Sequence, residues 1–225
     1  LAEDKKHQAA LARFQAISAA SHRPYRICEA GSFYGGGKAG VSDSFAAALW
    51  TLDYLFVLAS HGASGVNMQT GINHLGWVSH YTAISDDLAG QYGAAPEYYG
   101  LLAFAQMAPA DQFAVACDAG DINLTAYGVS RGPGRMSLAA INKDLSRDAA
   151  ITIVGPSALI QAQAMRLTAP SLSAKEDITL GGAGVDKNGF WRGGHHESVE
   201  LQDGKARLGV PAGSAALITL TSGAE

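Results

Sequence analysis

Arg26-Ile27-Cys28-Glu29-Ala30-Gly31-Ser32-Phe33-Tyr34-Gly35-Gly36-Gly37-Lys38-Ala39-Gly40 is the stretch on which the reading of the whole chain turns. It starts as a short apolar strand over residues 25–28, with Cys28 read as a small buried hydrophobe. One carboxylate, Glu29, follows. The chain then enters a loop so rich in glycine that its backbone must approach something closely. A carboxylate where a buried strand runs into a loop is where an α/β barrel places its chemistry. The loop itself offers backbone N–H groups with few side chains in the way, which suits an anion.

Upstream, residues 3–21 carry a partial apolar stripe (Ala9, Ala10, Ala12, Phe14, Ile17, Ala20) and read as a helix. Pro24 ends it and pushes the preceding residues toward extended geometry. Downstream, Ser42-Asp43 reads as a helix start and Gly62 as its stop. That helix is apolar almost all round, so it is either buried on several sides or spans a membrane. Asp53 at its middle argues against the membrane, where a central carboxylate costs about 3 kcal/mol. The helix is therefore expected to be wedged between two layers of the protein. A second strand is expected over residues 65–69, a long loop over 70–95, and a helix opened by Pro96 and running to Met107.

The order helix, strand, helix, strand, helix is a βα repeat. From Asp111 the texture changes to short alternating runs at 112–117, 122–130, 135–142, 149–154, 161–167, 198–201, 206–210 and 215–221. Gly132-Pro133-Gly134, Asn142-Lys143-Asp144 and Asp203-Gly204 supply turns between them. Short strands at this spacing predict a β-sandwich. The expected division is residues 1–107 and residues 108–225.

Composition narrows the classes of function. The chain has 225 residues, is 48% hydrophobic and 16% charged, and carries a net charge of −4 with no basic run. It can bury a core, and nucleic acid is excluded as an expected partner. Cys28 and Cys117 lie far apart in sequence and form no metal or redox spacing. His195-His196 are adjacent, so on a strand they point to opposite faces, and no third ligand is spaced to help them hold a metal. Asn123-Leu124-Thr125 matches the glycosylation sequon.

Glu29, Ser32, Tyr34, Gly35, Gly36 and Gly37, followed by Val41-Ser42-Asp43-Ser44-Phe45-Ala46-Ala47-Ala48-Leu49-Trp50, resemble the nucleophile region of glycoside hydrolase family 79, the β-glucuronidases and heparanases. The resemblance continues through Leu52-Asp53, Gly65-Val66-Asn67 and Pro96-Glu97-Tyr98-Tyr99-Gly100, and it is looser beyond residue 107. Gly31 departs from it, standing where the family often carries Asn or Ser.

The resemblance implies the C-terminal part of a (β/α)8 barrel, its last two βα units, followed by a β-sandwich domain. It implies a retaining glycosidase for β-glucuronides, with Glu29 as the nucleophile on the seventh barrel strand. Tyr34, Gly35 and Gly36 would hold the substrate carboxylate, the glycines through backbone N–H groups and the tyrosine through its hydroxyl. Retaining enzymes need a second carboxyl group about 5–5.5 Å away. The family carries that acid/base on the fourth strand, before Leu1, so this chain is read as the C-terminal portion of a longer glycosidase whose N-terminal barrel portion is its partner. The resemblance also implies a secreted or periplasmic setting. Two carboxyl groups and water suffice for the reaction, so no cofactor and no metal are expected.

Around this centre, Gln69 at the end of the second strand and Tyr81 in the long loop are further candidates for sugar contact, Tyr81 as a stacking ring. His74, Trp77 and Tyr92 read as loop packing or binding. Asp43 reads as a helix cap, Asp86-Asp87 as solvated loop charge, and Glu97 as a first-turn carboxylate that suits the helix dipole. Lys38 is divided between loop charge and solvation. Two other functions stay open: a same-clan β-glycosidase for a neutral sugar, and a non-catalytic carbohydrate-binding or structural fragment.

Overall fold

The structure, a computed structural model, describes residues 5–71, 79–87, 89–108 and 110–223. The expectations for His74 and Trp77 lie outside the described residues. Helix α1 (Lys5–Ser21) leads into strand β1 (Tyr25–Ala30). Helix α2 (Phe45–Ser60) follows, then strand β2 (Ala63–Met68). β1 and β2 pair in parallel, with Ala30 opposite Met68. A parallel pair requires a crossover, and α2 is that crossover.

The stretch expected as a long loop holds a hairpin, β3 (Ile84–Asp86) and β4 (Tyr92–Ala94), paired antiparallel. Its strands are three residues long, too short to leave an alternating pattern. Asp87 organises the tip, its Oδ1 accepting the N–H groups of Ala89 at 2.8 Å and Gln91 at 2.9 Å. Helix α3 (Pro96–Met107) then packs on α2. Gly100 permits the approach, because a Cβ there would collide with the Ala48 carbonyl and Thr51.

The remaining residues form two sheets. The larger has seven strands: β5 (Gln112–Phe113), β6 (Leu124–Ser130), β7 (Arg135–Asn142), β9 (Leu159–Thr168), β10 (Thr179–Leu180), β11 (Glu197–Ser198) and β14 (Ser214–Ser222). The smaller sheet runs β12 (Glu200–Gln202), β13 (Lys205–Val210), β8 (Ala149–Ile153).

Alternation along the central strands divides the core in two. Leu138, Ala140, Ala164, Ala216, Ile218 and Leu220 face the smaller sheet and meet Ala149, Ala206 and Val210. Ala139, Ile141, Met165, Leu167, Ala215 and Leu217 face the helices and meet Phe45, Leu49, Leu52 and Phe56 of α2. The large sheet thus lies between the smaller sheet and the helices. This explains why α2 is apolar nearly all round: it lies between the parallel strands and the large sheet. Phe45, Leu49, Leu52 and Phe56 are each at most 1% exposed, and burying side chains of this kind stabilises by about 1.5–3 kcal/mol apiece.

Asp53, which counted in sequence only as an argument against a membrane, locks α2 to the large sheet. Its Oδ1 accepts the hydroxyls of Thr125 at 2.6 Å and Tyr127 at 2.8 Å, and its Oδ2 pairs with the Lys143 ammonium at 2.8 Å. Lys143 also donates to Thr125 Oγ1 at 2.9 Å. The hydroxyl of the sequon's Thr125 is therefore committed to this interface. None of the described helices is long and apolar enough to cross a membrane.

Candidate active site

Glu29 sits one residue before the C-terminal end of β1 and is exposed. Cys28 is exposed as well, not buried as its sequence context suggested, because β1 and β2 form a sheet of only two strands among the described residues. Gln69 follows the end of β2, and its N–H donates to the Ala30 carbonyl at 2.6 Å. The C-terminal ends of the parallel strands therefore bring Glu29 and Gln69 to the same edge.

The glycine loop is wound around one hydroxyl. Ser42 Oγ accepts from the Lys38 N–H at 2.9 Å and from the Ser32 hydroxyl at 2.7 Å, while the Ser42 N–H returns to the Lys38 carbonyl at 2.8 Å. Gly35, Gly36 and Gly37 take φ values of +73°, +92° and +87°, which side chains with a Cβ rarely adopt. At Gly37 a Cβ would also lie 2.9 Å from that of Ser42. Gly36 is buried, and its carbonyl accepts the His80 N–H at 2.6 Å. The N–H groups of Gly35 and Gly36 donate to no described residue. Tyr34 is fully exposed, and its hydroxyl is free of the described residues.

Asp43 ties the loop to its surroundings. It is not the helix cap; Ser44 holds that position and makes no side-chain capping bond. Asp43 Oδ1 accepts the Gly40 N–H at 2.5 Å, and its Oδ2 pairs with Lys175 at 2.7 Å and lies 3.4 Å from His80 Nδ1. Burial pushes this carboxyl up, but the Lys175 ammonium and the Gly40 N–H outweigh it and hold the group below the ordinary carboxylate range.

Tyr81 corrects an expectation. Its ring is 7% exposed and lies over Gly31, where a Cβ would come 3.1 Å from two ring carbons. A ring so covered has no open face for stacking on a sugar. Tyr81 instead supports the turn between Glu29 and the glycine loop, and it occupies the space that a side chain at position 31 would take. Asp86 is also buried rather than solvated, whereas Asp87 is exposed.

Glu97 departs furthest from its sequence reading. It is 2% exposed, and neither carboxyl oxygen has a hydrogen-bond partner among the described residues. Burial pushes its pKa from the ordinary 4.5 up to about 8. It is therefore a neutral acid at pH 7, not a charge on the helix dipole. A first-turn Glu gives no sequence signal of this, because the burial comes from tertiary packing. His195 and His196 are exposed, and the described residues contain no group of three His, Cys, Asp or Glu able to hold a metal ion.

The fold, a parallel strand pair and helices packed on a two-sheet β domain, is shared with several solved glycosidases. A 4-O-α-L-rhamnosyl-β-D-glucuronidase from Fusarium oxysporum 12S is similar at a TM-score of 0.71 and 23% identity, over 94% of this chain and 46% of that one. The GH51 arabinofuranosidase from Xanthomonas axonopodis pv. citri follows at 0.62 and 14%, over 98% and 48%. The GH51 α-L-arabinofuranosidase from Thermotoga petrophila RKU-1 aligns at 0.65 and 11%, over 96% and 47%. The chain spans about half the length of these relatives. Residues 122–217 match the family described as the glycosyl hydrolase family 79 C-terminal beta domain. No curated protein matches the chain.

Proposed function

We propose that the chain is the C-terminal part of a retaining glycoside hydrolase acting on β-glucuronides, and that β1 and β2 are the last two strands of its (β/α)8 barrel. The observation that carries this is Glu29, exposed at the C-terminal end of a parallel strand beside a glycine loop whose N–H groups remain available. The Glu29 carboxylate attacks the anomeric carbon and forms an ester to the sugar as the bond to the leaving oxygen breaks. The acid/base, contributed by a part of the barrel outside this chain, protonates that oxygen. It then takes a proton from the water that cleaves the ester, which returns Glu29 to a carboxylate. The Tyr34 hydroxyl and the Gly35 and Gly36 N–H groups receive the glucuronate carboxylate, and Gln69 borders the same edge. Tyr81 acts beneath them as a positioning residue.

In the enzyme completed by its N-terminal part, Glu29→Ala abolishes glucuronide cleavage, and azide restores it as an α-glucuronyl azide. Unchanged hydrolysis in the variant rejects the proposal.

A second reading, a neutral-sugar glycosidase, draws on the fold shared with arabinofuranosidases. Tyr34→Phe and Gly35→Ala discriminate. A Cβ at Gly35 meets no atom within 4 Å, so the variant acts through the strain at its φ of +73°, which shifts the backbone donors. Carboxylate recognition requires glucuronide cleavage to fall more than glucoside cleavage. An equal fall favours the neutral sugar.

A further inference from the structure

A cleft of about 430 Å³ lies between the β3–β4 hairpin and the turn at residues 185–189 of the β domain, within the size range of small-ligand sites. Ile84, Tyr92 and Tyr98 line one side, and Val185, Lys187 and Asn188 the other. We propose that this cleft is a subsite for a uronate-bearing sugar unit. It takes a neighbouring unit of the same saccharide that meets Glu29, a placement that rests on the proposed glycosidase function.

Both walls are built before any ligand arrives. On the β-domain side, Asp186 Oδ1 accepts the N–H groups of Asn188 at 2.9 Å and Phe190 at 3.0 Å. The Asp186 N–H and carbonyl bond to Phe190 and Gly189 at 2.8 and 2.9 Å. The Val185 N–H donates to the Tyr99 hydroxyl at 3.0 Å, which fastens the turn to α3. On the hairpin side, Asp87 closes the tip and Thr82 Oγ1 donates to the Ile84 carbonyl at 2.8 Å. Walls fixed in this way reduce the ordering cost of binding.

The chemistry of the lining selects the ligand. Tyr92 is 51% exposed and offers a ring on which the C–H face of a pyranose can lie. Asn188 supplies an amide for hydroxyl groups. Lys187 is exposed and has no carboxylate partner among the described residues, while the adjacent Asp186 is turned to backbone N–H groups and to Arg192 at 3.7 Å. A ring face, an amide and an uncommitted ammonium suit a sugar that carries a carboxylate.

A chain of hydrogen bonds ties the hairpin wall of the cleft to the strand pair that carries Glu29. Gln69 is bonded to Ala30, and Thr70 Oγ1 meets Thr82 Oγ1 at 2.7 Å. Thr82 in turn holds Ile84, which lines the cleft.

The test is an amide-NMR titration of the 225-residue chain. One arm uses a tetrasaccharide of alternating N-acetylglucosamine and glucuronate, the other cellotetraose. Shifts are expected at residues 90–94 and 187–189, with the acidic sugar bound about threefold more tightly. Tyr92→Ala weakens binding about fivefold, and Lys187→Met removes the preference for the acidic sugar. Absence of shifts in the cleft, equal or tighter binding of the neutral sugar, or indifference to Tyr92→Ala overturns the proposal. Glu29 takes no part in this measurement, so its outcome is separate from that of the catalytic proposal.

Discussion

Replacing Glu97 by Gln should stabilise the protein, increasingly so as the pH rises. The side chain is 2% exposed, has no hydrogen-bond partner among the described residues, and titrates near 8 instead of 4.5. Below pH 4.5 the folded and unfolded chains both carry the neutral acid, and the group contributes no pH dependence. Between 4.5 and about 8 the unfolded chain releases a proton that the folded chain retains, so stability falls as pH rises, by about 1.4 kcal/mol per unit. The loss amounts to about 3 kcal/mol at pH 7 and about 5 kcal/mol above pH 8. Glutamine keeps the shape and has no proton to lose. Urea unfolding of parent and Glu97→Gln at half-unit steps from pH 4 to 8.5 measures the difference directly. The two stabilities should converge near pH 4 and separate steadily above it. Parallel pH profiles would refute the reasoning, because they would mean that the carboxylate is compensated inside the fold.

Other consequences are equally specific. Lys143→Met leaves Asp53 without its cation between α2 and the large sheet, and it should cost about 3–5 kcal/mol in urea unfolding; adding Asp53→Leu should recover most of that loss. Gly31→Ala drives a methyl into the Tyr81 ring and should cost about 1–3 kcal/mol, with Tyr81→Leu relieving it in the double variant. The Asp43 carboxyl, held below its ordinary range by Lys175 and Gly40 against its burial, contributes stability that is present above pH 3.8 and lost as the pH falls through its lower folded value. Asp43→Asn should remove that acid limb of the stability profile.

The parts of the fold that were legible in sequence are those whose signals are local. β1, α2, β2 and α3 follow from a strand that ends in a loop, from Pro96 at a helix start and from Gly62 at a helix stop. The strands of the β domain follow from alternation and turns, because each central strand must present one face to the helices and the other to the smaller sheet. What escaped was set by distant partners. Asp53 gave no local hint of Lys143, ninety residues away. Glu97 and Asp86 are buried by packing that a helix start and a polar loop do not announce. The hairpin at 84–94 is too short for periodicity, and Tyr81 finds its place only because residue 31 is a glycine. At the candidate site, Glu29 and the glycine loop were readable, whereas the Ser42 hydroxyl and the Asp43 carboxylate that hold the loop in shape were not.

Covalent capture of the sugar by Glu29 is the central claim. The enzyme completed by its N-terminal part is incubated with a 2-deoxy-2-fluoro-β-glucuronosyl fluoride, digested, and its peptides are sequenced by mass spectrometry. The account predicts one glucuronosyl adduct, on the peptide containing Arg26-Ile27-Cys28-Glu29-Ala30 and on Glu29 itself. An adduct on any other residue, or inactivation with no adduct on this chain, would contradict it.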